Sequence, residues 1–155
     1  ADTIKYYGPT QDDNNAIQNK ASTELLIDNN AITPGEWEFV NSGSMEGSTM
    51  TGYPLLEYYI TSDGTVTLLV HADNGTNGNN ITVGDVVCKV PSGFRPGIDA
   101  ANMTWAPIFQ LVNTMSYTAT ATCMVKHDGS IVFIEVNGSS KKFYGQVTYN
   151  VRSTN

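Results

Sequence analysis

"YYITSDGTVTLLV", residues 58–70, decides the fold. Asp63-Gly64 stands between two runs of β-branched, aromatic and aliphatic residues. In that setting Asp-Gly predicts a hairpin, read here as a type I′ turn whose central residues take positive φ. A second stretch, "CMVKHDGSIVFIEV" (123–136), repeats the arrangement around Asp128-Gly129. The likeness fits an internal duplication, or independent use of a favoured turn.

Working outward, Gly, Pro and Asn punctuate the chain from Thr33 onward at roughly every eight to twelve residues, the rhythm of an all-β protein. Strands are predicted at 35–41, 53–61, 65–72, 81–90, 106–113, 117–127, 130–136 and 142–151. Short antiparallel strands in this number predict an all-β fold, an antiparallel β-sandwich or jelly-roll-like barrel. In the 117–127 run, Tyr117, Ala119, Ala121, Cys123 and Val125 share one face, and Ser116, Thr118, Thr120 and Thr122 the other. Small alanines suit a strand that another backbone approaches closely, and the threonine row suits solvent or a polar subunit contact. Before the strands, "DDNNAIQNKASTELLID" spaces Ile17, Ala21 and Leu25 for a short helix over 14–27. The expected organisation is an N-terminal segment, 1–34, followed by a β-sandwich domain, 35–155.

A chain of 155 residues is long enough for one domain with a real core. Hydrophobic residues make up 40% and charged residues 15%, so solubility rests on Asn, Thr, Ser and Gly. A net charge of −7, with only eight Lys and Arg, argues against nucleic acid and against an anionic membrane surface. No apolar run reaches the ~18 residues of a membrane span, so no membrane insertion is expected. The start "ADTIKYYGPT" lacks the basic-then-apolar pattern of a signal peptide. Its missing Met reads as processing or excision from something longer. Cys88 and Cys123 lie in apolar runs and read as buried thiols, with a disulfide as the alternative.

Candidate chemistry is sparse. His71 and His127 stand at strand ends beside turns and read as surface residues, and no nucleophile elbow or histidine metal pair occurs. No catalytic residue, cofactor or metal site is therefore assigned. Glu36, Glu38, Glu46, Glu57 and Glu135 fall on or near strands; they read as a solvated face, with a glycosidase-type carboxylate pair as the alternative. "HADNGTNGNN" (71–80) reads as a polar hairpin loop, because its single carboxylate, Asp73, is few for Ca²⁺. The aromatic residues say more, since flat rings stack on the C–H faces of sugars while amides and carboxylates read the hydroxyls. Trp37, between two glutamates, reads as core. Trp105, in the irregular "DAANMTWAP" (99–107), is the expected stacking residue, with Asp99 and Asn102 bonding hydroxyls. Tyr53 and Tyr117 are second-rank candidates.

The most unusual stretch is "VPSGFRPG" (90–97). Pro91 cannot donate to a ladder and ends a strand. Gly93 permits positive φ, Phe94 plugs the open end of the barrel, and Pro96-Gly97 redirects the chain. Arg95 is expected to donate to carbonyls that this crossover leaves unpaired.

Together "GEWEFVN", "YYITSDGTVTLLV", "VPSGFRPG", "VKHDGSIVFIEV" and "FYGQVTYNV" resemble the head domains of receptor-binding proteins from the tails and baseplates of phages of Gram-positive bacteria, such as the lactococcal siphophages. The resemblance covers about residues 35–151, and its most specific element is Pro91–Pro96. It implies a head at the virion tail tip, acting outside the host cell. Such a head forms a homotrimer beside other baseplate and tail proteins and binds host cell-wall polysaccharide without cleaving it. The chain departs from that family in showing no collagen-like or heptad neck; either 1–34 stands in its place, or the chain is a trimmed head. Two alternatives remain: a secreted bacterial carbohydrate-binding module or adhesin, and a polysaccharide-degrading enzyme.

Overall fold

Alternation of inward apolar and outward polar side chains produces a strand within every stretch where one is expected. The computed structural model describes residues 21, 23–29, 31–96, 106–113 and 118–151. Its strands are β1 (Glu38–Asn41), β2 (Leu55–Ile60), β3 (Thr65–Asp73), β4 (Val86–Lys89), β5 (Ile108–Val112), β6 (Thr120–Val125), β7 (Ser130–Asn137) and β8 (Lys142–Asn150). They pair antiparallel in one sheet, ordered β1-β2-β3-β8-β5-β6-β7-β4. The protein is all-β, as expected, and the sandwich-like packing comes from this sheet curling over its own inner face.

A short strap shows why the sheet must curl. Lys89 N–H donates to the Glu46 carbonyl (2.8 Å), and Thr49 N–H donates to the Val86 carbonyl (3.0 Å). Val86 N–H in turn donates to Thr49 Oγ1 (3.0 Å). The chain leaving β1 at Asn41 therefore reaches β4, at the opposite end of the strand order, by Glu46. Five residues span at most about 17 Å, whereas eight flat strands would separate their edges by roughly 33 Å. Only a curled sheet meets both conditions.

The inner face carries the core. Leu56 and Ile60 of β2, Val66, Leu68 and Val70 of β3, Leu111 of β5 and Phe133 of β7 are fully or almost fully buried, with Phe143 of β8 beside Phe133. Ala119, Ala121, Cys123 and Val125 face inward as their parity predicts, with Thr118 and Thr120 on the outside. Cys88 and Cys123 are buried free thiols. Burial pushes the Cys88 thiol up to about 12 and raises that of Cys123 further. Residues 23–28 are helical, overlapping the end of the helix expected over 14–27 and running one residue past it, while 14–20 and 22 lie outside the described residues; Leu26, Ile27 and buried Ile32 pack against the core.

Residues 90–96 close one end of this core, while Gly97, expected to redirect the chain with Pro96, lies outside the described residues. Phe94 N–H donates to the Pro91 carbonyl (3.1 Å) while Gly93 takes φ 95°, so the chain turns sharply after β4. Phe94 enters the core edge-on to Tyr58, 4.5 Å between ring centroids. Its carbonyl accepts the buried Tyr149 hydroxyl, and the Gly93 carbonyl accepts the Thr23 hydroxyl. Arg95 Nε–H donates to the Val90 carbonyl at 2.7 Å, the structural use its position predicts. Arg95→Ala is expected to destabilise the fold by about 1–2 kcal/mol, measured by urea unfolding, because that carbonyl loses its side-chain donor. An unchanged midpoint would show that water replaces the guanidinium without loss.

Both Asp-Gly hairpins form, and their turns differ from the type I′ expectation. In the first, Thr61 N–H donates to the Thr65 carbonyl (2.9 Å) and Gly64 N–H to the Thr61 carbonyl (3.0 Å). In the second, Lys126 pairs with Ser130 and Gly129 with Lys126 in the same pattern, both at 2.9 Å. Each is a three-residue loop, with a four-residue turn closed by a left-handed glycine, Gly64 (φ 89°) or Gly129 (φ 92°). The aspartates select this form by accepting the amide two residues on, Thr65 N–H to Asp63 (3.2 Å) and Ser130 N–H to Asp128 (2.9 Å). The two hairpins thus share their loop geometry as well as their sequence pattern.

Candidate functional site

The outer face of β2, β3 and β8 is built in cross-strand rows. Leu55 lies opposite His71, which lies opposite Tyr144; Glu57, Leu69 and Gln146 form the next row, and Tyr59, Thr67 and Thr148 the third. Between the first two rows runs a groove of about 430 Å³, lined by Leu55, Glu57, Leu69, His71, Tyr144 and Gln146. That volume lies within the ~300–1,000 Å³ of small-ligand clefts.

His71 and Tyr144 stack almost in parallel, 8° apart with ring centroids at 4.3 Å. Nε2 of His71 is buried and has no hydrogen-bond partner among the described residues. An unsatisfied buried polar atom is costly, and here Nε2 is closed off from the groove by its neighbours. Burial holds the imidazole pKa below its ordinary value; the Asp73 carboxylate opposes this shift and the Lys142 ammonium adds to it. The groove therefore offers a neutral imidazole, a carboxylate from Glu57, an amide from Gln146 and ring surface from Tyr144. His71 stands near a strand end on the outer face, as expected, and is half-buried there with its ring against Tyr144.

The lowered pKa has a consequence for stability. A histidine whose pKa falls on folding binds protons more weakly in the native state than in the unfolded one. Its contribution is complete above the unfolded value near 6.5 and is lost as pH falls through the native value. The melting temperature is expected to drop more between pH 7.5 and pH 5 for the wild type than for His71→Gln. Parallel pH profiles would show that His71 does not drive the loss.

Beyond the end of this groove lies a polar recess of about 520 Å³, lined by Thr51, Tyr53, Asn74, Thr76 and Asn77 among others. Tyr53 is 78% exposed. The loop that walls the recess is held from within. The carboxylate of buried Asp73 accepts Gly75 N–H (2.7 Å) and Tyr53 N–H (3.3 Å). Asn74 accepts Thr51 N–H on its side-chain oxygen (3.3 Å) and donates Nδ2–H to the Asn79 carbonyl (2.9 Å). Asp73 thus organises the loop through backbone amides, and both its oxygens are engaged. The polar loop expected within 71–80 therefore has its single carboxylate turned inward. Among the described residues no group of three or more His, Cys, Asp or Glu side chains is placed to hold a metal ion.

Of the residues expected to bind sugar, Tyr53 lines this recess. Trp105, Asp99, Asn102 and Tyr117 lie outside the described residues. Trp37, expected in the core, is 51% exposed and sets its ring edge-on to Tyr59 on the outer face, centroids 4.4 Å apart. Pairing of β1 with the edge of β2 turns it outward. Phe39, 66% exposed, carries the apolar surface along β1. Among the described residues no helix is long and apolar enough to cross a membrane. The sequence matches no protein-family model and no curated protein.

Proposed function

We propose that this chain is the receptor-binding head of a phage tail tip, a non-catalytic adhesin that binds host cell-wall saccharide and assembles as a homotrimer beside other tail and baseplate proteins. The observation that carries the saccharide reading is the outer-face groove. The stacked His71–Tyr144 pair supplies aromatic surface for sugar C–H groups, and Glu57 and Gln146 supply polar groups at the groove margin. The phage reading rests on the resemblance of the "VPSGFRPG" crossover and its flanking hairpins to such heads. Trimerisation would add avidity to individually weak sites.

The test is binding of the fluorescently labelled protein to intact Gram-positive cells, lactococci included, and to polysaccharide released from their walls by mild acid. Light scattering runs alongside to give the oligomeric state. Tyr144→Ala is expected to weaken binding to the released polysaccharide by about tenfold, the equivalent of ~1.4 kcal/mol, through lost stacking. Loss on intact cells is expected to be greater because avidity falls too. Undiminished binding by a folded Tyr144→Ala protein would remove the groove from the site. Absence of binding to every cell and wall fraction by the wild type would overturn the function itself.

A further inference from the structure

The groove and the recess share one face of the barrel. Pro54 and Leu56 turn inward while Tyr53 and Leu55 turn outward, so Tyr53 continues the outer row of β2 one step beyond the strand. Leu55 stands directly opposite His71 in the groove. A two-residue step along an extended chain is about 7 Å, which brings Tyr53 to the neighbouring position along the same strand edge. The two depressions also differ in chemistry. The groove is floored by leucines and ends in stacked rings, whereas the recess pairs one exposed ring with Thr51, Asn74, Thr76 and Asn77.

The recess is built rather than incidental. Gly52 approaches so closely that a Cβ there would meet Gly75 N at 2.4 Å, and a Cβ at Gly78 would meet the Asn74 carbonyl at 1.9 Å. Glycines at these points let the 51–53 segment and the 73–78 loop converge beside Tyr53, leaving short polar side chains at the surface. Lys141 Nζ closes the far side by donating to the Thr76 carbonyl (3.0 Å). An exposed ring over a floor of fixed amides and hydroxyls is suited to a neutral, hydroxyl-rich ring.

Resting on the saccharide reading above, we infer that the Tyr53 recess is a second sugar subsite. The receptor recognised is then an internal stretch of a polysaccharide chain spanning recess and groove, rather than a single terminal sugar. One unit packs against His71 and Tyr144, and a neighbouring unit stacks on Tyr53 with its hydroxyls toward Thr76 and Asn77.

The test uses wall polysaccharide released by mild acid from the cells the protein binds, separated by size from one repeating unit to about ten and titrated by calorimetry. Wild-type affinity is expected to rise between the shortest fraction and the longer ones by about three- to tenfold, the contribution of one added stacking subsite. Tyr53→Ala is expected to abolish that rise while leaving affinity for the shortest fraction and the melting temperature unchanged, since the side chain is largely in solvent. Tyr53→Phe is expected to retain the rise. Equal wild-type affinity for all fractions, or an undiminished rise in Tyr53→Ala, would overturn the second subsite while leaving the saccharide reading intact. If no fraction binds the wild type, the saccharide reading fails and the subsite fails with it.

Discussion

Gly129→Ala is expected to lower the stability of the protein by about 3–4 kcal/mol, read from urea unfolding. Two separate effects combine at this position. Gly129 takes φ 92°, which a residue with a Cβ adopts at a cost of roughly 1–2 kcal/mol. A Cβ there would also stand 2.6 Å from Arg95 Nε and 2.7 Å from the Val90 carbonyl oxygen, so the crossover must move off the hairpin, typically at a further 1–3 kcal/mol. Gly64 is the internal control. It has the same loop and nearly the same φ, 89°, but its Cβ would meet no backbone, only the Val151 side chain at 3.0 Å and the Asn150 side chain at the ordinary contact distance of 3.6 Å. Gly64→Ala is expected to cost the conformational part alone. Equal losses at the two glycines would show that the Arg95–Val90 contact yields freely and does not brace the second hairpin.

Asp73→Ala is expected to cost about 2–3 kcal/mol and to abolish binding that depends on the Tyr53 recess. The carboxylate is buried and accepts amides from two chain segments, the loop at Gly75 and the approach to β2 at Tyr53. Truncation leaves both N–H groups without their acceptor, and hydrogen bonds to a charged group are among the stronger ones. Thermal unfolding of the variant measures the loss. EGTA is expected to leave the wild-type melting temperature unchanged, because both oxygens of Asp73 are already engaged by amides. A fall in melting temperature with EGTA, restored by Ca²⁺, would give the loop a metal-binding role instead.

The strands were legible because each is local. Alternation in "LLEYYI" or "TVTLLVHA" shows in a few neighbouring residues, and turn chemistry marks where each run stops. The site was less legible because it depends on pairing at a distance. Tyr144 meets His71 only because β3 lies beside β8 in this register, and nothing near either residue announces that neighbour. The role of Asp73 was hidden for a related reason. "HADNG" reads as a hydrophilic loop, yet convergence of the 51–53 segment buries its carboxylate and consumes it in backbone hydrogen bonds. Trp37 shows the reverse. A large aromatic ring belongs in a core on composition alone, but its place beside an edge strand sets it against Tyr59 on the outside. Arg95 was readable because proline and glycine on either side restrict the backbone so tightly that few uses for its guanidinium remain.

The strap from Glu46 to Thr49 changes what kind of object the sheet is. An open sheet unravels from whichever end strand is looser, one strand at a time. Here the covalent continuation of one end strand lies over the hydrogen-bonding edge of the other, so the margin of β4 is covered by the chain that leaves β1. Fraying at β1 slackens the cover on β4, and release of β4 frees the chain that anchors β1. The two margins rise and fall as a single unit, and a segment of four residues gives an unclosed sheet the all-or-none behaviour of a closed ring.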